Sequence, residues 1–198
     1  FLFLFPSILN VVENVMSNKV TWSSDFGPSY TPDQMLRMGV FEGKYINSVK
    51  GLPKEWYDIP KVLGPKDDPD PSINYYGVKS RQPLSVWKEN GWTDPDYPFG
   101  WFEWYCLYYL GRRLGKKDEL EIKRWRSFVA RHQGQISANC TLGDKSCRPK
   151  QRQALLQWAW DSSVSYSDEQ VKRNAKRMGQ KAKVSLEDTH AMIVSLNW

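Results

Sequence analysis

The thirteen residues from Tyr97 to Tyr109, YPFGWFEWYCLYY, constrain the fold of this chain more than any other segment. Eight of the thirteen are Phe, Trp or Tyr. If the block is a helix, its rings surround the axis, and a helix that is apolar all round belongs in the middle of a fold. Rings that stack on bases or sugars are the alternative, because an aromatic face is open to any flat partner.

Two further helices are predicted downstream. The first runs from Asp118 to Asn139 and carries an apolar stripe at spacings of three and four residues. The members of this stripe are Ile122, Trp125, Val129, His132 and Ile136. After a loop from Cys140 to Cys147, Pro149 is placed to open a second helix with Ala154, Leu155, Trp158 and Ala159 on its apolar side. We expect the two to form an antiparallel hairpin that clasps the aromatic helix.

The first half of the chain predicts short helices in a loop-rich context. TPDQMLRMG from Thr31 has a capping Thr, a Pro at the first helical position and a terminating Gly, and RQPLSVWKENG reads similarly. Between them, residues 40 to 76 carry scattered Gly and Pro and ought to wrap the core irregularly. The predicted fold class is therefore mainly α, a compact helical domain with an irregular N-terminal half.

Three segments follow from this pattern. Residues 16–161 are interpreted as one helical domain with wrapping N-terminal loops, and residues 162–198 as a basic helical extension. The extension includes the capping box of SYSDEQVKRNAKRMG and a last helix from Ser185 towards Trp198. Residues 1–15 are interpreted as upstream translation or as a tail that binds a membrane or a partner. Their apolar run is too short to span a bilayer as a helix, so no transmembrane segment is expected.

Positive charge is concentrated in the second half of the chain. Residues 1–100 hold 10 Lys and Arg against 12 Asp and Glu, whereas residues 101–198 hold 18 against 10. This asymmetry favours an anionic partner, and helix-borne guanidinium groups suit phosphate. The candidate nucleic-acid-binding residues are Arg112, Arg113, Lys116, Lys117, Lys123, Arg124, Arg126, Arg131, Arg148, Lys150 and Arg152. Solvated or internally paired charge and a membrane surface are the alternatives.

His132, Cys140 and Cys147 form the candidate metal site. They lie eight and seven residues apart and could converge where the long helix ends, with zinc as the fitting ion and Cys106 or water as a fourth ligand. Free thiols and a Cys140–Cys147 disulfide remain open alternatives. Three cysteines are too few for a secreted disulfide scaffold, so a cytoplasmic location is predicted.

Enzyme signatures are scarce in this sequence. It has no GxSxG, Walker loop, GxGxxG, HExxH or zinc-deaminase motif. A nuclease using Asp118, Glu121 and His132 around a divalent ion is conceivable, but acids in a first helical turn ordinarily complement the helix dipole. Non-catalytic binding of nucleic acid is therefore favoured. A metal-dependent enzyme with a site near His132, Cys140 and Cys147 comes second, and a structural or protein-interaction component third.

GRRLGKKDELEIKRWRSFVARHQGQISANC followed by CRPKQRQALLQWAWDS resembles a family of small Trp-rich proteins of bacteria, algae and their viruses. The upstream pieces MLRMGVFEGKYIN, PKEWY, QPLSVWKENGW and FGWFEWYCLYYLGRR fit the same pattern. The resemblance covers about Thr31 to Asp161. It implies one architectural unit and brings no established activity or catalytic residue.

Overall fold

The computed structural model describes residues 26–141 and 143–163, and it is mainly helical. Its α-helices are α1 (Pro32–Met38), α2 (Lys54–Tyr57), α3 (Leu84–Glu89), α4 (Trp101–Tyr109), α5 (Lys116–Asn139) and α6 (Pro149–Gln157). Short 3-10 turns occur at Phe41–Gly43, Ile46–Ser48 and Pro71–Ile73, and no strand forms among the described residues. The predicted fold class is confirmed. The proposed segment 1–15 and nearly all of the proposed extension 162–198, including both of its predicted helices, lie outside the described residues.

Helix α4 is the centre of the fold, as its apolar circumference predicts. Seven of its nine residues are buried, and Tyr105 and Cys106 are fully enclosed. The buried polar atoms of these rings find partners: Trp104 Nε1 donates to Asp118 at 2.8 Å, and the Tyr105 hydroxyl donates to the Tyr30 carbonyl at 2.6 Å. Core packing is therefore the main role of the aromatic block.

Helices α5 and α6 form the predicted antiparallel hairpin. The end of α5 is tied to the start of α6 by a Cys140–Cys147 disulfide, while Trp125 near the middle of α5 donates its Nε1 to the Trp158 carbonyl just after α6, at 2.8 Å. The inner stripe of α5 differs at one position from the prediction. Gln133 is buried at 3% exposure, whereas His132 is only half-buried.

The segment between α1 and α3 wraps the core irregularly, as expected. A buried carboxylate organises it: Glu42 is 1% exposed and accepts from Asn74 Nδ2 at 3.1 Å and from Arg81 Nε at 2.6 Å. The Glu42 amide in turn donates to Asn74 Oδ1 at 2.9 Å. These contacts hold Phe41 and Glu42 at positive φ values of 54° and 53°, a region that residues other than glycine rarely occupy.

Within residues 26–141 and 143–163, we find no helix with the length and hydropathy that a crossing of a lipid bilayer needs.

Candidate functional site

Two adjoining pockets form a groove along the outer side of α5. The first, here called the tryptophan pocket, is lined by Trp87, Trp92, Tyr97, Trp101, Glu121, Arg124 and Trp158. The second, the basic pocket, is lined by Leu120, Lys123, Arg124, Ser127, Phe128, Arg131 and Trp158. Because Arg124 and Trp158 line both pockets, the aromatic and the cationic pocket are neighbours.

Helix α3 and the turn after it build the outer wall of the tryptophan pocket. Trp87 lies on α3, and the amide of Trp92 donates to the Trp87 carbonyl at 2.9 Å, which fixes the spacing of the two residues. Gly100 lies beneath Trp87. A Cβ at Gly100 would lie 2.4 Å from the indole ring, and its φ of +91° also favours glycine. The position of Trp87 therefore depends on the absence of a side chain at residue 100.

The inner wall is a column of stacked rings that leads from the core to the groove. Trp101 stacks on Trp158 with ring centroids 4.7 Å apart, and Trp158 stacks on Phe128 at 4.4 Å. Phe128 in turn contacts the His132 ring at 4.1 Å. Burial lowers the pKa of His132, and the adjacent Arg131 charge lowers it further, which favours a neutral imidazole. Because Trp158 is stacked between Trp101 and Phe128, both of its faces are covered within the column.

A buried carboxylate lies in the tryptophan pocket. Glu121 is 1% exposed, and its Oε1 accepts from the Tyr97 hydroxyl at 2.9 Å and from Arg124 at 2.6 Å. Its Oε2 accepts no hydrogen bond from any described residue. Burial raises the pKa of Glu121, while the Arg124 charge and the Tyr97 hydrogen bond lower it and offset part of that effect.

The basic pocket places three of the predicted cations together. Arg131 lies seven residues after Arg124 and eight after Lys123, so both lie on its side of α5, and all three residues line the basic pocket. Lys123 and Arg131 are exposed, and no carboxylate in residues 26–141 or 143–163 forms an ion pair with either of them. Arg124 forms an ion pair with Glu121, and 47% of its side chain remains exposed.

Three other predicted cations are engaged with their neighbours. Lys117 forms ion pairs with Asp94 and Asp96, and these hydrogen bonds raise the pKa of Lys117. Arg112 lies 3.6 Å from Asp96. Arg113 stacks its guanidinium 3.8 Å from the Tyr108 ring centre and donates to the Tyr108 carbonyl. This cluster pins the turn between α4 and α5 and fits the internally paired alternative.

The burial of Arg152 contradicts its prediction as a phosphate ligand. It is 4% exposed and donates to the carbonyls of Asp144 and Cys147, both at 2.8 Å, and to Ser162. A guanidinium enclosed in this way has no surface to offer a phosphate. Its contacts instead hold the loop between α5 and α6.

The remaining predicted cations are scattered. Lys116 is exposed at the start of α5, and Arg148 and Lys150 lie at the start of α6. Arg126 is half-buried and is not among the residues that line the two pockets. The structure thus brings Lys123, Arg124 and Arg131 into one site and leaves these four outside it.

The proposed metal ligands do not form a metal centre. Cys140 and Cys147 are joined in a disulfide, so neither sulfur is available as a thiolate. Cys106 is buried in the core, and the ring of His132 packs on Phe128. In the described part of the chain, no three His, Cys, Asp or Glu side chains are close enough to hold an ion. Of the three alternatives for these cysteines, the structure has the disulfide.

The acids of the nuclease hypothesis have structural partners. Asp118 is 7% exposed and accepts from Trp104 Nε1 through one oxygen and from the Leu114 amide, at 2.6 Å, through the other. It therefore ties the residue before the N-cap to the first turn of α5, where an acid also complements the helix dipole. Of the three proposed residues, only Glu121 lines a pocket described here.

The sequence interpretation missed Trp87, Trp92 and Trp158 as groove residues because it placed tryptophans in the core as a class. A signal existed for Trp92. It lies in the turn-rich run GWTDPDYP, where burial of a large ring is hard to achieve, and 54% of it is exposed. No comparable signal marks Trp158, whose neighbours in the groove come from distant segments.

Comparison of the chain with protein-family models, curated proteins and solved structures found no match. The resemblance to small Trp-rich proteins therefore stays a prediction.

Proposed function

We propose that this protein binds nucleic acid non-catalytically through the groove along α5. The observation that carries the proposal is that the pocket lined by Lys123, Arg124 and Arg131 adjoins the pocket that has the exposed ring of Trp92 in its lining. Cations attract the phosphate backbone, and aromatic faces stack on bases. The combination fits a polynucleotide better than it fits a simple anion, which would need only the charges.

The aromatic part of the groove favours unpaired bases. In a duplex, the bases are stacked on one another and their faces are inaccessible to a side chain. An exposed indole such as Trp92, 54% of which is in contact with solvent, gains most from a base that lacks a stacking neighbour. The proposed partner is therefore single-stranded RNA or DNA, or a loop within a longer nucleic acid.

Titration of fluorescently labelled oligouridine tests this proposal. The test variant carries Lys123→Ala and Arg131→Ala, and its affinity should fall about tenfold because two phosphate contacts are lost. The matched control carries Lys50→Ala and Lys54→Ala, which removes the same charge from exposed residues that line neither pocket. Equal affinities of the two variants, or a preference for a duplex over the single strand, would contradict the proposal.

One observation also favours a second candidate function, which is interaction with another protein. Leu120 is 45% exposed and lines the basic pocket, and an exposed aliphatic side chain at a pocket is a feature of protein contacts. Binding dominated by apolar contacts would change little with salt, so the salt dependence of the interaction separates the two functions.

A further inference from the structure

A third pocket, here called the Arg81 pocket, shares Trp87 with the tryptophan pocket. Its walls come from the 3-10 turns at Phe41–Gly43 and Ile46–Ser48, from Arg81 and the residue after it, and from α3. The cavity measures about 130 Å³, whereas sites for drug-sized ligands occupy roughly 300–1,000 Å³. It therefore accommodates a small group rather than a whole nucleotide.

The polar side chains of the Arg81 pocket are cations and neutral hydrogen-bonding groups. Lys44 and Arg81 supply two positive charges, and Ser48 and Gln82 are exposed at its edge. Lys44 Nζ donates to the Gly64 carbonyl at 2.5 Å, which leaves two of its three N–H donors. No Asp or Glu in the described part of the chain lines this pocket, so its lining attracts an anion.

The guanidinium of Arg81 is held in place by a buried carboxylate. Arg81 Nε donates to Glu42 at 2.6 Å, and Glu42, which is 1% exposed, also accepts from Asn74. The two terminal nitrogens of Arg81 donate to no residue within 26–141 or 143–163, and 22% of the side chain is exposed. A guanidinium fixed through Nε presents these nitrogens as a fork, which suits two oxygens of one oxyanion.

Strained backbone builds this arrangement. Phe41, which lines the pocket, and Glu42, which holds Arg81, have positive φ values of 54° and 53°. Residues other than glycine lose free energy in this region, and such strain is concentrated at ligand sites. Here it places an aromatic wall beside the pocket and a carboxylate behind its arginine.

We propose that the Arg81 pocket binds one phosphate group, with the Arg81 fork on two of its oxygens and Lys44 on a third. This inference rests on the proposed function and adds a second phosphate site to it, because both the Arg81 pocket and the basic pocket adjoin the tryptophan pocket. The phosphate can belong to the strand or to a free phosphate monoester. The strand is expected to bind more tightly, because it also contacts the basic pocket.

Gln82→Glu tests the pocket without changing a buried group. Gln82 is exposed, and a carboxylate at this position should pair with Arg81 and Lys44 and exclude the phosphate. We expect the affinity for oligouridine to fall about tenfold, as the loss of charge-assisted hydrogen bonds predicts. The slope of log K against log salt should become shallower by about 0.7, the contribution of one phosphate contact. The matched control is Ser85→Glu, which adds the same charge at an exposed position of α3 outside the lining.

A second variant examines the fork itself. Arg81→Lys keeps a positive charge beside Glu42 but presents an ammonium in place of the planar fork, so strand affinity should fall while the protein stays folded. Thermal unfolding verifies the fold. Calorimetric titration of the wild type and of Gln82→Glu with inorganic phosphate and with uridine monophosphate tests the free-phosphate source.

Each outcome has a distinct meaning. Wild-type affinities of Gln82→Glu for the strand, phosphate and uridine monophosphate overturn the Arg81 pocket, and so do equal losses in Gln82→Glu and Ser85→Glu. The proposed function then stands if the variant with Lys123→Ala and Arg131→Ala still binds the strand more weakly. Loss of phosphate and uridine monophosphate binding in Gln82→Glu with unchanged strand affinity supports the pocket and contradicts the strand as its source. Absence of strand binding to the wild type overturns the proposed function, whereas phosphate binding that Gln82→Glu abolishes would still support the pocket.

Discussion

At the scale of single residues, Trp92 is the most direct probe of the groove because its ring is exposed and supports little of the core. Replacement of Trp92 by Ala should weaken binding of a single strand about tenfold, since stacking of one base on an aromatic ring contributes about 1–3 kcal/mol. The free energy of unfolding should change by less than about 0.5 kcal/mol, as is typical of exposed positions. Fluorescence titration and urea denaturation measure the two quantities.

Tyr75→Ala is the matched control for that experiment. Tyr75 is 46% exposed, close to the value for Trp92, and it is not among the residues that line either pocket. If the two variants lose the same affinity, general loss of aromatic surface rather than the tryptophan pocket explains the effect.

Arg152 and Arg131 lie on the same hairpin, but we expect the first to stabilise the fold and the second to bind the partner. Arg152→Ala should lower the free energy of unfolding by about 3 kcal/mol, because it leaves buried carbonyl groups of the α5–α6 loop without donors. Arg131→Ala, at an exposed position, should cost less than about 0.5 kcal/mol yet weaken strand binding. Urea denaturation and strand titration of both variants provide the test. Similar stabilities for the two would contradict the structural role assigned to Arg152.

At the scale of elements, the hairpin of α5 and α6 is closed by a disulfide that a thiol count can verify. The chain has three cysteines, of which Cys140 and Cys147 are bonded and Cys106 is free and buried. Protein purified without reductant and then denatured should therefore expose one thiol, and three after reduction. Reduction should also lower the free energy of unfolding by about 2 kcal/mol, as loop-closure entropy for a short loop predicts.

Three reactive thiols in the denatured protein, before any reductant is added, would show that the disulfide is absent. In that case the free-thiol and zinc alternatives for these cysteines would stand again, and metal analysis of the same sample would distinguish them.

The elements themselves were largely predictable, and the errors have a common physical cause. The apolar period located α5 and α6, and the capping signals located α1, which has the full capping box at Thr31. Periodicity alone cannot choose between His132 and Gln133, since each lies three or four residues from Val129 and Ile136. The sequence analysis places His132 in the buried stripe, whereas the structure buries Gln133.

Arg152 is a second residue whose burial the sequence analysis missed, although its helical spacing indicates a buried position. It precedes Leu155 and Leu156 by three and four residues, so it continues the buried stripe of α6 by one turn. The sequence analysis predicts a phosphate ligand at Arg152 because of its charge and not because of its position on the helix. An arginine with enough carbonyl partners can nevertheless occupy a core site. Counting acceptors in the adjacent loop is not possible before that loop is folded.

At the scale of the whole molecule, the groove combines segments that are far apart in the sequence. Its tryptophans come from α3, the turn after it, α4 and the end of α6, and its cations come from α5. The asymmetry of charge between the halves predicts a basic surface on the second half of the chain. It could not show that only Lys123, Arg124 and Arg131 would share a site with exposed rings, because that depends on the packing of the hairpin against α4.

The most direct measurement is the dependence of single-strand affinity on salt concentration for the wild-type protein and for the variant with Lys123→Ala and Arg131→Ala. Each phosphate contact contributes about −0.7 to the slope of log K against log salt. We therefore expect the variant's slope to be shallower by about 1.4, whereas the Lys50→Ala and Lys54→Ala control keeps the wild-type slope. Binding with a slope that is the same in the wild type and the groove variant would contradict the assignment of this groove to nucleic acid.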